Sequence, residues 1–228
     1  MCDARVLEFF ISSTVSEDFN DKRILEVGSR YVNGSVRPYV LKISKPRCYI
    51  GVDIEDGLLV DIVVPVEKLV ERFGEDSFDV VISTELLEHV LDWRTAFDNM
   101  KRVLKRGGCI LLTTRSRDFP LHGHPDDFWR YEVDDMRKIL SDFQITKIVS
   151  DELSHGTYAR AIKPSAWVPN DLSKIELYSM NSAKQLVSKY QVITFRIDRK
   201  YFRLLRYLFH PLYSWIRDQR VDTKPDGN

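Results

Sequence analysis

The sequence predicts an α/β fold: a three-layer sandwich on a seven-stranded, mostly parallel sheet, with an antiparallel last strand and a C-terminal helical extension. Two observations predict it. Short apolar runs alternate along the chain with stretches of helical spacing, which is typical of a parallel sheet covered by helices on both faces. The last two runs follow each other closely, which indicates a hairpin and therefore an antiparallel final pair.

The predicted strands are short apolar runs of a length typical of buried strands. They span residues 24–27, 48–52, 61–64, 78–83, 108–114, 145–153 and 157–162. The last two flank His155-Gly156, which indicates a turn. We therefore expect the first five strands to run parallel and the last one to return against them.

The predicted helices lie between these strands. Apolar residues recur at helical spacing over residues 66–73, 93–104 and 133–143. Gly107 and Gly108, which follow two basic residues, indicate the end of the second helix just before the next strand.

Charge and cysteine content narrow the class of protein. Lysine plus arginine equals aspartate plus glutamate, 34 each, so no global field attracts nucleic acid or an anionic membrane. The three cysteines, Cys2, Cys48 and Cys109, are far apart and lack the spacing of a disulfide framework or a zinc site. Without a membrane-spanning run or a signal-peptide pattern, we expect a cytoplasmic protein.

The chain changes character near residue 164. Residues 1–164 carry the strand and helix alternation, whereas residues 165–228 lack it and form the predicted extension. Within the extension, residues 196–217 mix arginines with aromatic residues. Packing on the domain or on a second subunit is the favoured interpretation. Peripheral membrane contact through residues 196–217 is the next, and nucleic acid is the least favoured because the basic patch is isolated.

The ends of the first two strands predict a nucleoside pocket. Glu26 and Gly28 end the first strand, and Asp53 ends the second, 25 positions after the glycine. A glycine lets the backbone approach a ligand closely, and a carboxylate at the next strand end can accept both ribose hydroxyls. Ser29 and Arg30 stand where a dinucleotide-binding fingerprint requires further glycine, so that fingerprint fails.

Four motifs in the correct order resemble those of class I S-adenosylmethionine-dependent methyltransferases. They are Glu-Val-Gly-Ser-Arg at 26–30, Gly-Val-Asp at 51–53, the fourth strand and its turn at 78–90, and the stretch 104–112 that leads into the fifth strand. The resemblance covers approximately residues 20–164. It implies a Rossmann-like sheet and S-adenosylmethionine as the cofactor of a methyltransferase domain in residues 1–164.

The resemblance also implies which residues bind the cofactor. Asp53 would hold the ribose and Ile54 would contact adenine, while Pro65 replaces an aspartate of many relatives, so that adenine would be held by packing. Arg30 replaces a glycine of the first motif and could reach the cofactor carboxylate. The expected cofactor-binding residues are Glu26, Gly28, Arg30, Gly34, Asp53, Ile54, Pro65, Val66, Ser83, Thr84 and Glu85.

Three histidines are the expected catalytic residues: His89, His122 and His124. Glu85, Glu88 and His89 form a Glu-x-x-Glu-His pattern that a helical turn would place on one face. The pattern resembles that of some metal-dependent O-methyltransferases. A divalent metal, a metal-free role for His89 as a base or substrate contact, and a structural polar cap remain alternatives, and metal is not favoured.

The segment 119–131 is rich in His, Asp, Trp, Arg and Tyr and follows the fifth strand. It resembles a stretch of bacterial and archaeal methyltransferases associated with glycan or cell-envelope modification. His122 or His124 could accept a proton from the acceptor or complete a metal site with His89. Trp129 is expected to pin the loop to the core instead.

The predicted function is therefore methyl transfer from S-adenosylmethionine to an acceptor, with oxygen on a small molecule or glycan favoured. One alternative is a metal-assisted methyltransferase of a nucleic-acid end or quinone. The other is a non-catalytic relative that binds a nucleoside or a protein partner. The sequence carries no prediction of the oligomeric state.

Overall fold

The computed structural model describes residues 3–122 and 126–180 of the chain. Its strands are β1 (Arg23–Val27), β2 (Cys48–Asp53), β3 (Ile62–Val63), β4 (Phe78–Thr84), β5 (Leu104–Arg115), β6 (Trp129–Arg130), β7 (Gln144–Asp151), β8 (Gly156–Ile162) and β9 (Tyr178–Ser179). Its α-helices are α1 (Ala4–Ser13), α2 (Arg37–Ile43), α3 (Leu69–Phe73), α4 (Trp93–Val103) and α5 (Val133–Ile139). Short 3-10 turns lie at Ser16–Asp18, Val66–Lys68, Leu87–His89 and Leu172–Lys174.

Seven strands form one sheet in the order β3-β2-β1-β4-β5-β8-β7. Strands β1 to β5 pair in parallel, and β8 runs antiparallel to both of its neighbours. The predicted seven-stranded sheet with an antiparallel last strand is confirmed. Parallel strands end at a common edge, so the residues that follow β1, β2, β4 and β5 are brought together there.

Helices cover both faces of the sheet because successive side chains of each strand point to opposite faces, and apolar side chains are buried on both. Ile24, Val80 and Leu111 join the apolar side chains of α1 and α2 in one buried cluster. The alternate residues Leu25 and Val81 are also fully buried and point to the opposite face, where α4 contacts β5.

Helix α1 is absent from the sequence-based prediction. Its apolar side chains Val6, Phe9 and Phe10 are buried, and the carboxylate of Asp3 accepts the backbone N–H groups of Arg5 and Val6 as an N-cap. The helix therefore closes one face of the sheet from a position ahead of the first strand.

The prediction that the helix before β5 ends at Gly107-Gly108 is wrong. Helix α4 ends at Val103, and Leu104 already pairs with Phe78 of β4. The two glycines extend the strand because their backbone groups exchange hydrogen bonds of 2.8 and 2.9 Å with Lys163.

Residues 165–180 contain one 3-10 turn and β9, which pairs with β6 in a separate two-stranded sheet. The division at residue 164 stays a prediction, and residues 196–217 lie outside the described residues. Among the described helices, none has the length and apolar character that crossing a membrane requires.

We predict that Gly51→Ala destabilises the protein by about 2 kcal/mol, as overpacking of a buried site does. A Cβ atom at Gly51 would overlap the backbone oxygen of Leu59 and lie 2.6 Å from the Ser29 hydroxyl oxygen. Urea denaturation measures the loss. The matched control is Gly57→Ala, whose Cβ would meet only the flexible side chain of Arg30. Equal effects of the two substitutions would contradict the close approach at Gly51.

Candidate functional site

The turn after β1 requires glycine at position 28. Gly28 has φ +78°, and a Cβ atom there would lie 2.9 Å from Cβ of Leu86. The backbone N–H groups of Gly28 and Ser29 both donate to the carbonyl of Val52, at 2.9 and 3.0 Å. These contacts draw the turn against the end of β2 on one side and against the segment after β4 on the other.

Asp53 lies at the end of β2, and its carboxylate lies at the edge of the sheet where the parallel strands end. One oxygen accepts the backbone N–H of Arg30 at 3.2 Å, and the other accepts that of Glu55 at 3.2 Å. The side chain of Ile54, beside it, is 69% exposed. A carboxylate next to an exposed apolar side chain at a parallel-strand end suits the ribose and base of a nucleoside.

The segment after β3 lies next to Asp53. The backbone carbonyl of Asp53 accepts the N–H of Val64 at 2.8 Å, which places Pro65 and Val66 beside the end of β2. The predicted adenine contacts Ile54, Pro65 and Val66 are therefore brought to one place by the backbone.

Two other predicted cofactor residues lie in the turns around this edge. The guanidinium of Arg30 pairs with the carboxylate of Glu55 at the surface. Gly34 lies in the loop between β1 and α2. Whether either residue contacts the cofactor stays a prediction.

Glu26 is 2% exposed and lies within a polar network. Its carboxylate accepts the hydroxyl of Tyr49 at 3.0 Å and that of Ser35 at 3.4 Å, and it lies 3.7 Å from Nε of Arg37. Burial raises the pKa of Glu26 to about 7, against the lowering effect of Tyr49 and Arg37. Because Ser35 belongs to the loop and Arg37 begins α2, Glu26 orders the segment that follows Gly28.

Sequence reasoning missed Arg37. Its guanidinium also pairs with Asp61 and lies 4.5 Å from the centre of the Tyr49 ring. The same Asp61 carboxylate accepts the backbone N–H of Gly51 at 2.6 Å. Arg37 thus joins α2, β2 and the start of β3, and no local pattern in the sequence marks it.

The end of β4 is buried beside β1. Ser83 is fully buried and pairs with Val27 in the sheet register, and Thr84 is 5% exposed. Glu85 has φ +52°, a left-handed conformation that is uncommon for residues other than glycine. Its N–H donates to the carbonyl of Thr113 at 2.9 Å.

The prediction that Glu85, Glu88 and His89 share one helical face is wrong. The 3-10 turn starts at Leu87, after the left-handed Glu85, and the Glu85 carboxylate contacts the guanidinium of Arg115 instead. Burial and the nearby Glu88 carboxylate raise the pKa of Glu85 above its ordinary value.

Glu88 and His89 lie instead beside His122, from the loop after β5. Glu88 is fully buried, and its Oε2 accepts the hydroxyl of Thr114 at 2.9 Å. Its Oε1 lies 3.9 Å from Nε2 of His89, and the two histidine ring centres lie 4.9 Å apart. One ligand atom from each of the three residues lies within 4.8 Å of the other two.

Hydrogen bonds set which nitrogen of each histidine is free. Nδ1 of His89 contacts the backbone carbonyl of Asp126, and Nδ1 of His122 lies 3.1 Å from the carboxylate of Asp127. Each acceptor requires a proton on Nδ1, so that Nε2 is the basic nitrogen of the neutral ring. Among the described residues, neither Nε2 atom has a hydrogen-bond partner.

A buried ion pair holds His122 in place. Asp127 accepts two hydrogen bonds from the fully buried Arg130, at 2.5 and 2.7 Å, and one from the backbone N–H of His122 at 2.8 Å. Although burial acts in the opposite direction, these bonds hold the pKa of Asp127 below its ordinary value. Sequence reasoning missed both charged residues, whose three-residue spacing in the loop was the available signal.

The loop that carries this pair is fastened to the turn after β4. Phe128 N–H donates to the carbonyl of Glu88 at 2.8 Å, and the indole N–H of Trp129 donates to that of Val90 at 3.0 Å. The hydroxyl of Tyr131 donates to the carbonyl of Leu87 at 3.1 Å. Trp129 therefore pins the loop, as expected, and the remaining predicted histidine, His124, lies outside the described residues.

Comparison with known proteins agrees with this architecture. Residues 25–112 match the family model described as "Methyltransferase domain". An S-adenosylmethionine-dependent methyltransferase from Mesorhizobium loti superposes with a TM-score of 0.51 over 71% of this chain and 98% of its own, at 16% identity. The fold is that of the class I methyltransferases.

Other relatives share this methyltransferase fold. A Burkholderia thailandensis 1,6-didemethyltoxoflavin N1-methyltransferase, solved with S-adenosylhomocysteine, gives a TM-score of 0.50 at 16% identity, over 64% of this chain and 72% of its own. The cyclase SpnF gives 0.53 at 15% identity, over 70% and 81%. Because a methyltransferase and a cyclase share this fold, the similarity shows the fold alone. The reaction must be argued from the side chains of the site.

A human protein is similar in sequence to part of this chain. Over 80 residues the chain is 32% identical to the mitochondrial ubiquinone biosynthesis O-methyltransferase. That stretch is 35% of this chain, and it spans about a fifth (21%) of the length of the curated relative.

We predict that Glu26→Gln removes a pH dependence of stability. The pKa of Glu26 is raised from 4.5 to about 7, so the folded protein keeps a proton that the unfolded chain releases between about pH 4.5 and pH 7. The wild type therefore loses stability as pH rises through this window, by about 3 kcal/mol at most, and the glutamine variant lacks this loss.

The measurement is urea denaturation of both proteins from pH 4.5 to pH 8. We expect the free energy of unfolding of the variant, relative to the wild type, to increase as pH rises and to level off above about pH 7. A difference that stays constant across this range would show that Glu26 is ionised in the folded state throughout.

Proposed function

We propose that this protein is an S-adenosylmethionine-dependent methyltransferase that acts on a hydroxyl oxygen of a small molecule or glycan. The observation that carries the proposal is the meeting of two arrangements at one edge of the sheet. The Gly28 turn and Asp53 form a nucleoside-binding half, and Glu88 with two histidines forms a half suited to proton transfer.

The donor half suits S-adenosylmethionine. The absence of a side chain at Gly28 lets the turn lie close against Leu86, at the edge of the sheet where the donor would bind. Asp53 can accept the ribose hydroxyls, and the exposed side chain of Ile54 can pack on adenine. The bound donor supplies an activated methyl group. The protein must then hold the acceptor oxygen in line with that group, about 3 Å away.

The acceptor half favours a hydroxyl acceptor. A hydroxyl must lose its proton as its oxygen gains a methyl group, and a neutral imidazole nitrogen can take that proton. His89 and His122 both present such a nitrogen, because Asp126 and Asp127 hold their Nδ1 protons. The balanced charge of the chain provides little affinity for a polyanion, which favours a small molecule or glycan over nucleic acid.

We predict that calorimetry detects binding of S-adenosylmethionine and S-adenosylhomocysteine, and that Asp53→Ala weakens both by at least about tenfold. Losing hydrogen bonds from two hydroxyls to a charged carboxylate explains the size of the effect. The matched control is Asp56→Ala, in the exposed loop that follows Asp53, with affinity unchanged. Absence of binding to the wild type at millimolar donor would instead favour the non-catalytic alternative.

One observation favours a second candidate, a metal-assisted methyltransferase. Glu88, His89 and His122 each place a ligand atom within 4.8 Å of the others, and Oε1 of Glu88 and Nε2 of both histidines have no hydrogen-bond partner among the described residues. A carboxylate and two imidazoles suit a divalent transition metal, which would stabilise the oxyanion that forms on the acceptor. The name of the human relative supports a quinone-type acceptor for this candidate. For this candidate, the end of a nucleic acid is the alternative acceptor to a quinone.

We predict for this second candidate that Mn²⁺ binds the wild type and that His122→Ala and Glu88→Gln abolish binding, as measured by electron paramagnetic resonance. Glu85→Gln should retain the ion because Glu85 contacts Arg115 and does not belong to the cluster of Glu88, His89 and His122. His155→Asn, at a half-buried histidine outside the cluster, is the control. Methyl transfer that survives both EDTA and Glu88→Ala would reject this candidate and leave the metal-free mechanism.

A further inference from the structure

Residues 165–180, which we call the clasp, are fastened along α4 by buried polar contacts. On α4, the fully buried ammonium of Lys101 donates to Oδ1 of Asn170 at 2.9 Å and to the carboxylate of Asp142 at 2.6 Å. The indole N–H of Trp167 donates to the same carboxylate at 2.8 Å. A buried ammonium needs acceptors such as Asp142 and Asn170, so the start of the clasp belongs to the core of the domain.

Arg94 of α4 holds the middle of the clasp. Its Nε donates to the carbonyl of Leu172 at 2.9 Å, and its Nη2 donates to that of Ile175. The guanidinium also lies 4.5 Å from the centre of the Trp93 ring. These hydrogen bonds fix the path of the chain between the 3-10 turn and β9.

The end of the clasp is bonded to the loop that carries His122. In β9, Ser179 pairs with Trp129 and Tyr178 with Arg130. Beyond this pair, the N–H of Met180 donates to the carbonyl of Phe128 at 2.9 Å. The N–H of Phe128 in turn donates to the carbonyl of Glu88.

The loop is therefore held from two sides. The turn after β4 holds one side through Glu88, and the clasp holds the other through Met180. Strand β6 has two residues, and β9 is its only strand partner among the described residues. Such a short strand does not hold its geometry without a partner.

We propose that Arg94 and the clasp position the acceptor half of the site without touching donor or acceptor. Phe128 is the shared element, because it is bonded to Met180 of the clasp and to Glu88 of the site. The inference rests on the proposed function, since it assigns this role to the same histidine and carboxylate cluster. The donor half, built on β1 and β2, has none of these contacts.

The test uses Arg94→Met in the full-length chain, followed by hydrogen–deuterium exchange and mass spectrometry. Methionine keeps an unbranched stem on Trp93 and removes the donors to Leu172 and Ile175. We expect amide exchange at least about tenfold faster in peptides covering 126–131 and 175–180, because their local opening becomes easier. Exchange in peptides covering 23–27 and 48–53, and the affinity for S-adenosylhomocysteine, should stay unchanged within twofold.

Arg102→Met is the matched control on the same helix. Arg102 pairs with Asp98 and Glu75 at the surface and should leave exchange of the loop unchanged. Arg94→Lys, which keeps one donor, should give an intermediate rate, and it replaces Arg94→Met if that variant fails to fold. Unchanged exchange in 126–131, or an equal increase in 23–27, would overturn the positioning role. Failure of the wild type to bind the donor would instead overturn the proposed function, because the exchange pattern does not depend on it.

Discussion

Two buried carboxylates near the end of β4, Glu85 and Glu88, impose the constraint on which the acceptor half of the site depends. Neither has a solvated side chain, and a polar group buried without a partner costs about 1–3 kcal/mol even when it is neutral. Glu85 is therefore met by Arg115 at the end of β5, and Glu88 by Thr114 of the same strand. Arg115 also bonds Asp3 of the N-terminal helix cap, so that satisfying one acid draws α1 to this edge.

The loop of the donor half is stabilised in a different way. Its loop has one glycine at the tight turn and then Ser29 and Arg30, so it depends less on backbone freedom. Polar contacts hold it instead: the Ser29 hydroxyl donates to the carbonyl of Leu59 at 3.0 Å, and Glu26 accepts from Tyr49. Cofactor binding in such a loop would depend on the ionisation of Glu26 as well as on the shape of the turn.

The two halves meet because Leu86 packs under Gly28 while the next residues form the turn that carries Glu88 and His89. A methyl donor held at Gly28 would therefore lie beside the residues proposed to receive the acceptor. Contact of this kind is what in-line transfer requires, since the rate depends on the placement of the reacting atoms. The fold provides the common edge, and the side chains at that edge decide the reaction.

Local patterns in the sequence determined the strands, the central helix α4, the glycine turn and the strand-end acids. Each depends on residues that are neighbours in the chain, as do strand and helix periodicity and the steric demands of glycine. Only the tertiary structure decided that Glu85 faces Arg115, that His122 joins Glu88 and His89, and that Met180 bonds Phe128. These partners lie far apart in sequence or depend on a left-handed residue, and the packing of the folded chain brings them together.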